Sequence, residues 1–337
     1  MDPNGNGPSR PDRQSWWPPG RIEQPGRRPV RRPSAASAAR RQPVWPVAVP
    51  RVESSLPSAL PVVPLPSDLP ALPTRPVAQR WTDLVDLHAH VLPGVDDGAR
   101  DPAEAVAMLR MAEADGIRTV IATPHSASCD AARIAEGVAG LSALAADAGL
   151  SVRVVAGSEV RLEAGLAERY RAGELTTLNG TYYLLLELPL HGDWPPYLLD
   201  AIYELQVEGI VPILAHAERY PAVQEDPGIL IELIVRGVLI QVNGMSLLDV
   251  AGPAERRAAD WLVRTHIAHL VASDAHDLST RPPRLQEALD AVIAITGPDY
   301  AAWMVESAAA VLAGAGVTLP DPQLPQRASL FQRVRRA

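Results

Sequence analysis

The chain of 337 residues is 47% hydrophobic, contains 34 prolines, a single Phe and no lysine, and carries a net charge of −8. The charge is divided, with 12 arginines against 5 acidic residues in positions 1–80 and 19 against 34 in the remainder. So acidic a body lacks the basic face that general nucleic-acid binding requires. Cys129 is the only cysteine, which excludes an internal disulfide framework. A thiol-based phosphate loop is excluded as well, because it needs Arg six residues after the Cys and position 135 is Ala. No apolar run of about 18 residues is present, so no transmembrane segment is expected. The start shows no signal-peptide pattern, and the expected compartment is the cytoplasm.

Residues 1–80 hold 18 of the 34 prolines, interleaved with Arg, Ser and Ala. Frequent proline removes backbone donors and prevents regular structure, so this stretch is expected to be a disordered Pro/Arg-rich tail. Between Leu56 and Pro76 it is apolar and proline-punctuated, which favours an extended polyproline conformation. It reads either as a passive tail or misassigned start, or as an adaptor or membrane-surface segment using its arginines and the Trp16–Trp17 pair.

From residue 81 the pattern becomes strand–helix alternation. A first strand is predicted at about 83–88. Asp101-Pro102 opens a helix, with Asp as cap and Pro in the first turn. Val106, Leu109 and Ala112 or Glu113 follow at helical spacing, and Gly116 ends it. Further strands are predicted at 119–125, 152–160, 182–189, 210–220, 238–244 and 268–276. Between and after them come helices near 130–148, 195–208, 226–236, 253–265, 283–295 and 299–314. Seven near-continuous apolar strands alternating with helices imply a parallel sheet covered by helices, open or closed into a barrel. The domain expected is 81–318, followed by a loose C-terminal tail, 319–337.

The ends of these strands carry the chemistry. In Asp86–Gly98, DLHAHVLPGVDDG, alternation along a strand puts His88 and His90 on one side, with two aspartates close behind. The other strands end in His125, Glu159, Glu187, His216, Asn243, and Asp274 with His276. Convergence of polar strand ends favours a barrel, where all C-terminal ends meet at one mouth, over an open sheet, where few do. The candidate metal set is His88, His90, Asp97, His125, Glu159, Glu187, His216, Asp274 and His276. A lone buried carboxylate such as Glu187 is costly unless paired or metal-bound. Nine donors suit three divalent ions, and a nitrogen–oxygen set without thiolate favours manganese or iron over structural zinc. The implied chemistry is hydrolysis by a metal-activated water. Arg219 and Arg281, close in sequence to His216 and His276, offer forks matched to phosphate oxygens. His191, His266 and His269 fall outside the pattern and are read as surface or core residues.

With these residues in view, the chain resembles the polymerase-and-histidinol-phosphatase (PHP) superfamily, and within it the bacterial manganese-dependent protein-tyrosine phosphatases of capsule and exopolysaccharide synthesis. The motifs are DLHAHVLPGVDDG (86–98), ATPH (122–125), GSEV (157–160), LLELP (185–189), AHAERY (215–220), QVNG (241–244) and SDAHDLSTRPP (273–283). The resemblance implies a distorted (β/α)7 barrel holding three metals, Mn2+ foremost, with Fe or Zn in some positions. It further implies one ion on His88, His90, Glu159 and Asp274. A second would be shared through Glu159 with Glu187 and His216, and a third would sit on Asp97, His125 and His276. Arg219 and Arg281 would bind the phosphoryl group. The implied substrate is phosphotyrosine on an autophosphorylating bacterial tyrosine kinase that drives polysaccharide export. The competing reading is a PHP phosphoesterase for a small molecule such as histidinol phosphate, and a more distant one is a non-catalytic module that binds the kinase.

Overall fold

The computed structural model describes residues 81–323 apart from 249. The predicted tail of residues 1–80 lies outside the described residues, as does most of 319–337. The strands are β1 (Leu84–Ala89), β2 (Ile117–Ala122), β3 (Arg153–Ala156), β4 (Glu159–Arg161), β5 (Tyr183–Glu187), β6 (Val211–Leu214), β7 (Leu239–Asn243) and β8 (Leu270–Ala272). The helices are α1 (Pro102–Ala114), α2 (Ala131–Asp147), α3 (Leu166–Arg171), α4 (Leu198–Val207), α5 (Pro221–Glu225), α6 (Leu230–Val235), α7 (Pro253–Arg264), α8 (Gln286–Thr296) and α9 (Pro298–Ala313).

Local chemistry sets the helix starts. Asp101 accepts a hydrogen bond from the Glu104 amide, and Asp130 does the same for Arg133, which caps α1 and α2. The buried face of α1 is Ala105, Met108, Leu109 and Ala112, so the expected face through Val106 is corrected by one position. The helix predicted across 226–236 is instead a turn of 3-10 helix, Pro227–Ile229, leading into α6. Pro227 lacks the donor needed to continue α5. The short α3 and α5 were not predicted, and the strand expected at 210–220 ends at Leu214, followed by a turn of 3-10 helix at Ala217–Arg219.

All strand pairs are parallel, in the orders β1-β2-β3 and β4-β5-β6-β7-β8. The single third strand expected at 152–160 is therefore two, broken at Gly157-Ser158. A Cβ at Gly157 would lie 2.8 Å from side-chain carbons of both Ile121 and Leu178, so the bend needs a residue without one. Across the bend, Gly157 N donates to Ala122 O at 2.9 Å and residue His125 bridges Glu159, which keeps the two sheets adjacent. At the other seam Ala89 bridges Ala275, His90 N donates to Ala275 O at 2.7 Å, and Asp274 N donates to His88 O at 2.8 Å. The strands thus close into a distorted (β/α)7 barrel whose third strand is shared between two sheets. This resolves the choice between barrel and open sheet.

One apolar cluster takes a single face from strand after strand: Val85 and Leu87, Ile121, Tyr183 and Leu185, Val211 and Ile213, Leu239, Leu270 and Ala272. Val311 and Val317 join it from the C-terminal segment. Each such fully buried aliphatic side chain contributes about 1.5–3 kcal/mol of transfer free energy. Alternation carries the same faces onward into polar residues. Leu185 is followed two positions later by Glu187, Ile121 by Thr123 and then His125, Leu239 by Gln241 and Asn243, and Ala272 by Asp274. In β1 the register with β2 shifts between Asp86 and Ala89. Val85 and Leu87 can therefore join the apolar cluster while His88 and His90, at the other parity, join the polar ends.

Candidate metal centre

Two expected donors sit at backbone positions unusual for their type. His216 has φ 33° and Asp274 φ 52°, both left-handed, each just past the end of a strand. Such non-glycine residues cost of order 1–3 kcal/mol, and the surrounding barrel holds them there. The turn redirects each side chain toward the barrel mouth.

Glu159 is the hub. Its carboxylate, almost fully buried, lies 3.5 Å from His88 Nε2, 3.4 Å from His90 Nε2, 2.9 Å from His125 Nδ1 and 2.8 Å from His216 Nε2. Burial opposes its ionisation, but these imidazoles, His88 first, hold it well below the usual carboxylate range. His216 Nε2 also stands 3.9 Å from Glu187, whose carboxyl is raised by burial and by the neighbouring Glu159. Asp274 Oδ1 lies 3.4 Å from His88 Nε2 and 3.6 Å from His90 Nε2. Asp97, the most exposed donor, lies 3.3 Å from His125 Nε2 and 3.4 Å from His276 Nε2. All nine predicted donors therefore meet at one mouth. Arg219 Nη1 and Arg281 Nη2 reach the same Asp274 carboxylate at 3.4 and 2.9 Å, and Arg281 Nη2 also lies 2.7 Å from His276 Nε2.

Residues outside the expected set orient this cluster. His90 Nδ1 donates to Asp96 Oδ2 at 2.7 Å, His88 Nδ1 faces Gln241 Oε1 at 3.3 Å, and His276 Nδ1 donates to Asp274 O at 2.8 Å. In each ring the proton is thereby drawn to Nδ1, and the Nε2 lone pair is turned to the centre, the arrangement of metal-ligating histidines. Gln241 also accepts from His216 N at 2.8 Å and donates to Asn243, whose amide donates to Asp274 Oδ2 at 2.7 Å. Asp96 further accepts from the amides of His125 and Gly98. At Gly98 a Cβ would lie 2.0 Å from His90 O, so the turn after the two aspartates requires glycine. Of the two aspartates behind the His-x-His pair only Asp97 was an expected donor, and neither Asp96 nor Gln241 was assigned a role. The QVN spacing, which puts Gln241 and Asn243 on one strand face, was the available signal for the latter.

The donor set fits cations. His88 Nε2 and His90 Nε2 approach to 3.2 Å, and two lone pairs do not face each other at that distance without a proton or a metal ion between them. Their separations from Glu159 and Asp274 span 3.4–3.6 Å. A tetrahedral set at the usual metal–nitrogen and metal–oxygen lengths has edges of about 3.4 Å. Burial lowers the pKa of His90, but Asp96 and Glu159 together push it up to about 10, so the position draws positive charge. Three groups have donor atoms mutually within 4.8 Å: His90, Asp97, His125 and His276; His88, His90 and Glu159; and His125, Glu159 and Glu187. His125 thus faces both Asp97 and Glu159, where the resemblance gave it a single ion. Four carboxylates against two arginines leave the mouth anionic until cations enter.

Barrel and mouth together define the class: an α/β barrel whose strand ends converge on clusters able to hold metal ions. The profile described as "Capsular polysaccharide synthesis, CpsB/CapC" matches residues 84–313, and the chain belongs to that family. It is 32% identical over 252 residues to the tyrosine-protein phosphatase YwqE of Bacillus subtilis, covering 74% of this chain and 99% of that one. It is 28% identical to the tyrosine-protein phosphatase CpsB of Streptococcus pneumoniae over 62% of this chain and 89% of that one. A chain from the crystal structures of YwqE and CpsB, described as unique metal-dependent tyrosine phosphatases, superposes with a TM-score of 0.69. That match has 32% identity and covers 72% of this chain and all of the other.

Proposed function

We infer that the protein is a metal-dependent tyrosine-protein phosphatase of the capsular polysaccharide synthesis family. The observation that carries this is the pair Arg219 and Arg281 meeting, on Asp274, the cluster of nine candidate donor side chains, within a chain of that family. In the finer reading, His88, His90, Glu159 and Asp274 hold one ion, Glu159, Glu187 and His216 a second, and Asp97, His125 and His276 a third, with manganese the native metal. When bound, such ions lower the pKa of water and offset charge developing on phosphoryl oxygens.

The chain's own residues supply the rest. Arg219 and Arg281 present charged forks to the phosphoryl oxygens and fix its orientation. Both side chains are about one-third exposed, so they reach incoming substrate while resting on a buried carboxylate. Gln241 and Asn243 hold His88 and Asp274 in place from behind. A tyrosine leaving group has a pKa of about 10, so phenolate departs more readily than a serine alkoxide and needs little protonation. The proposed substrate is phosphotyrosine on an autophosphorylating tyrosine kinase of polysaccharide export. The proposed compartment is the cytoplasm, since the lone Cys129 needs no oxidising environment. Among the described residues no helix is long and apolar enough to cross a membrane.

Phosphate release by the full chain, after chelation and manganese add-back, tests the reading with a phosphotyrosine peptide, a phosphoserine peptide and histidinol phosphate. Manganese-dependent release from phosphotyrosine is expected. A preference for histidinol phosphate would move the protein to small-molecule metabolism.

A further inference from the structure

Beside the two arginines lies a groove of about 210 Å3, lined on one side by Arg219 and Arg281 and on the other by residues of the segment joining β7 to α7. That segment contributes an apolar wall of Met245, Val250 and Ala251, with Glu255 of α7 also on the lining. Resting on this reading of the site, we propose that the groove is the aryl subsite of the phosphatase. Met245, Val250 and Ala251 cover the ring of the substrate tyrosine while the arginines hold its phosphoryl group.

Three observations converge. Size is the first, since a cavity of about 150 Å3 holds benzene and this groove exceeds it. Position is the second. Arg219 and Arg281 converge on Asp274, so a phosphoryl group held by both must sit where the two guanidinium groups meet, and the groove is the space that those same two side chains border. The ester substituent then runs along the wall, where a ring makes apolar contact and a guanidinium can stack on its face. The third is that Val250 is 65% exposed, a large apolar side chain left in solvent at the groove rather than packed in the core. Glu255 adds a like-charge penalty against a second anionic group on the ligand. Phosphoserine, with a single methylene and no ring, has nothing of that area to lay on the wall.

Non-hydrolysable probes test this without the chemical step. With manganese-loaded full chain, the inhibition constants of phenylphosphonate, methylphosphonate and inorganic phosphate are measured in competition with a phosphotyrosine peptide. The native protein should prefer phenylphosphonate to methylphosphonate by tenfold or more. A Met245→Ala/Val250→Ser variant should lose about tenfold of that preference, the low end of what a single methylene is worth in a hydrophobic pocket, while inorganic phosphate changes less than twofold. Ala251→Trp, which fills the groove from a half-buried position on its lining, should abolish the preference in the same way and serves if the double variant does not fold. An unchanged preference in either folded variant, with phosphotyrosine turnover intact, overturns the subsite and leaves the phosphatase reading standing. No turnover of the phosphotyrosine peptide by native protein overturns both.

Discussion

Asp96 offers the sharpest test of how the centre is organised, because it is absent from the expected donor set yet holds a donor in place. Its carboxylate is buried and accepts three hydrogen bonds, from His90 Nδ1 at 2.7 Å, His125 N at 3.1 Å and Gly98 N at 3.1 Å. Burial pushes its pKa up, but the His90 ring and the two amides pull it down to about 2, so it is ionised wherever the enzyme works. Asp96→Asn keeps the shape but leaves one oxygen and one NH2 facing three donors. The charge-assisted bond to His90 is worth about 1.5–3 kcal/mol, or about 10–100-fold in an equilibrium constant. Outer partners of metal-ligating histidines cost a similar factor when removed. Activity titrated with manganese should therefore shift its midpoint 10–100-fold upward, with turnover recovered at excess metal. Asp97→Asn, which removes an expected donor itself, should not recover. A manganese midpoint for Asp96→Asn within twofold of native would refute the role given to this carboxylate.

Other outcomes follow from the same geometry. Glu159→Gln should reduce bound metal from three ions to one per chain by elemental analysis after gel filtration, since Glu159 meets four imidazoles and belongs to two of the three proposed positions; three retained ions would refute its bridging role. Chelation should lower the melting temperature, because an ion held at 100 times its dissociation constant adds about 2.7 kcal/mol; for a domain of this size that is roughly 5–11 °C per ion. An unchanged melt would count against a folded-state site. Burial pushes His269 down to about 3, below its unfolded value near 6.5, so the unfolded chain takes up the proton first as pH falls. Stability is therefore lost below pH 6.5, by about 2 kcal/mol at pH 5. His269→Asn, which can still accept from Ile240 N, should lose that part of the acid sensitivity in urea melts at pH 5 and 7; parallel pH slopes in the two proteins would sink the argument.

The strand ends were legible because a polar residue after an apolar run has few reasons to be there, and nine such residues in parallel strands have one place to meet. The barrel itself was legible only through that convergence, since apolar periodicity is the same in an open sheet. What escaped was backbone detail. The register shift inside β1 leaves no compositional trace, nor do the left-handed turns at His216 and Asp274, where residue type argues against the conformation. The break at Gly157 lay in a segment whose valines read as one strand. Asp96 and Asp97 are chemically identical neighbours, and only their side-chain contacts separate the orienting carboxylate from the expected donor.

The seam between β8 and β1 has a consequence for how the enzyme comes into being. Asp86 accepts from Ser273 N and Oγ across 187 residues of chain, and the proposed donors His88 and Asp274 flank this junction. At ribosomal speeds of about 5–20 residues per second, His88 and His90 emerge roughly 10–40 s before Asp274 does. Until then His88 and His90 have Asp96 and Glu159 available in the emerged chain but not Asp274, and ring closure carries the loop entropy of nearly the whole domain. A cation held by residues from both ends would favour the closed ring over every shorter intermediate by its binding free energy. Chain fragments lacking β8 should be made, soluble or not, without ever becoming enzymes.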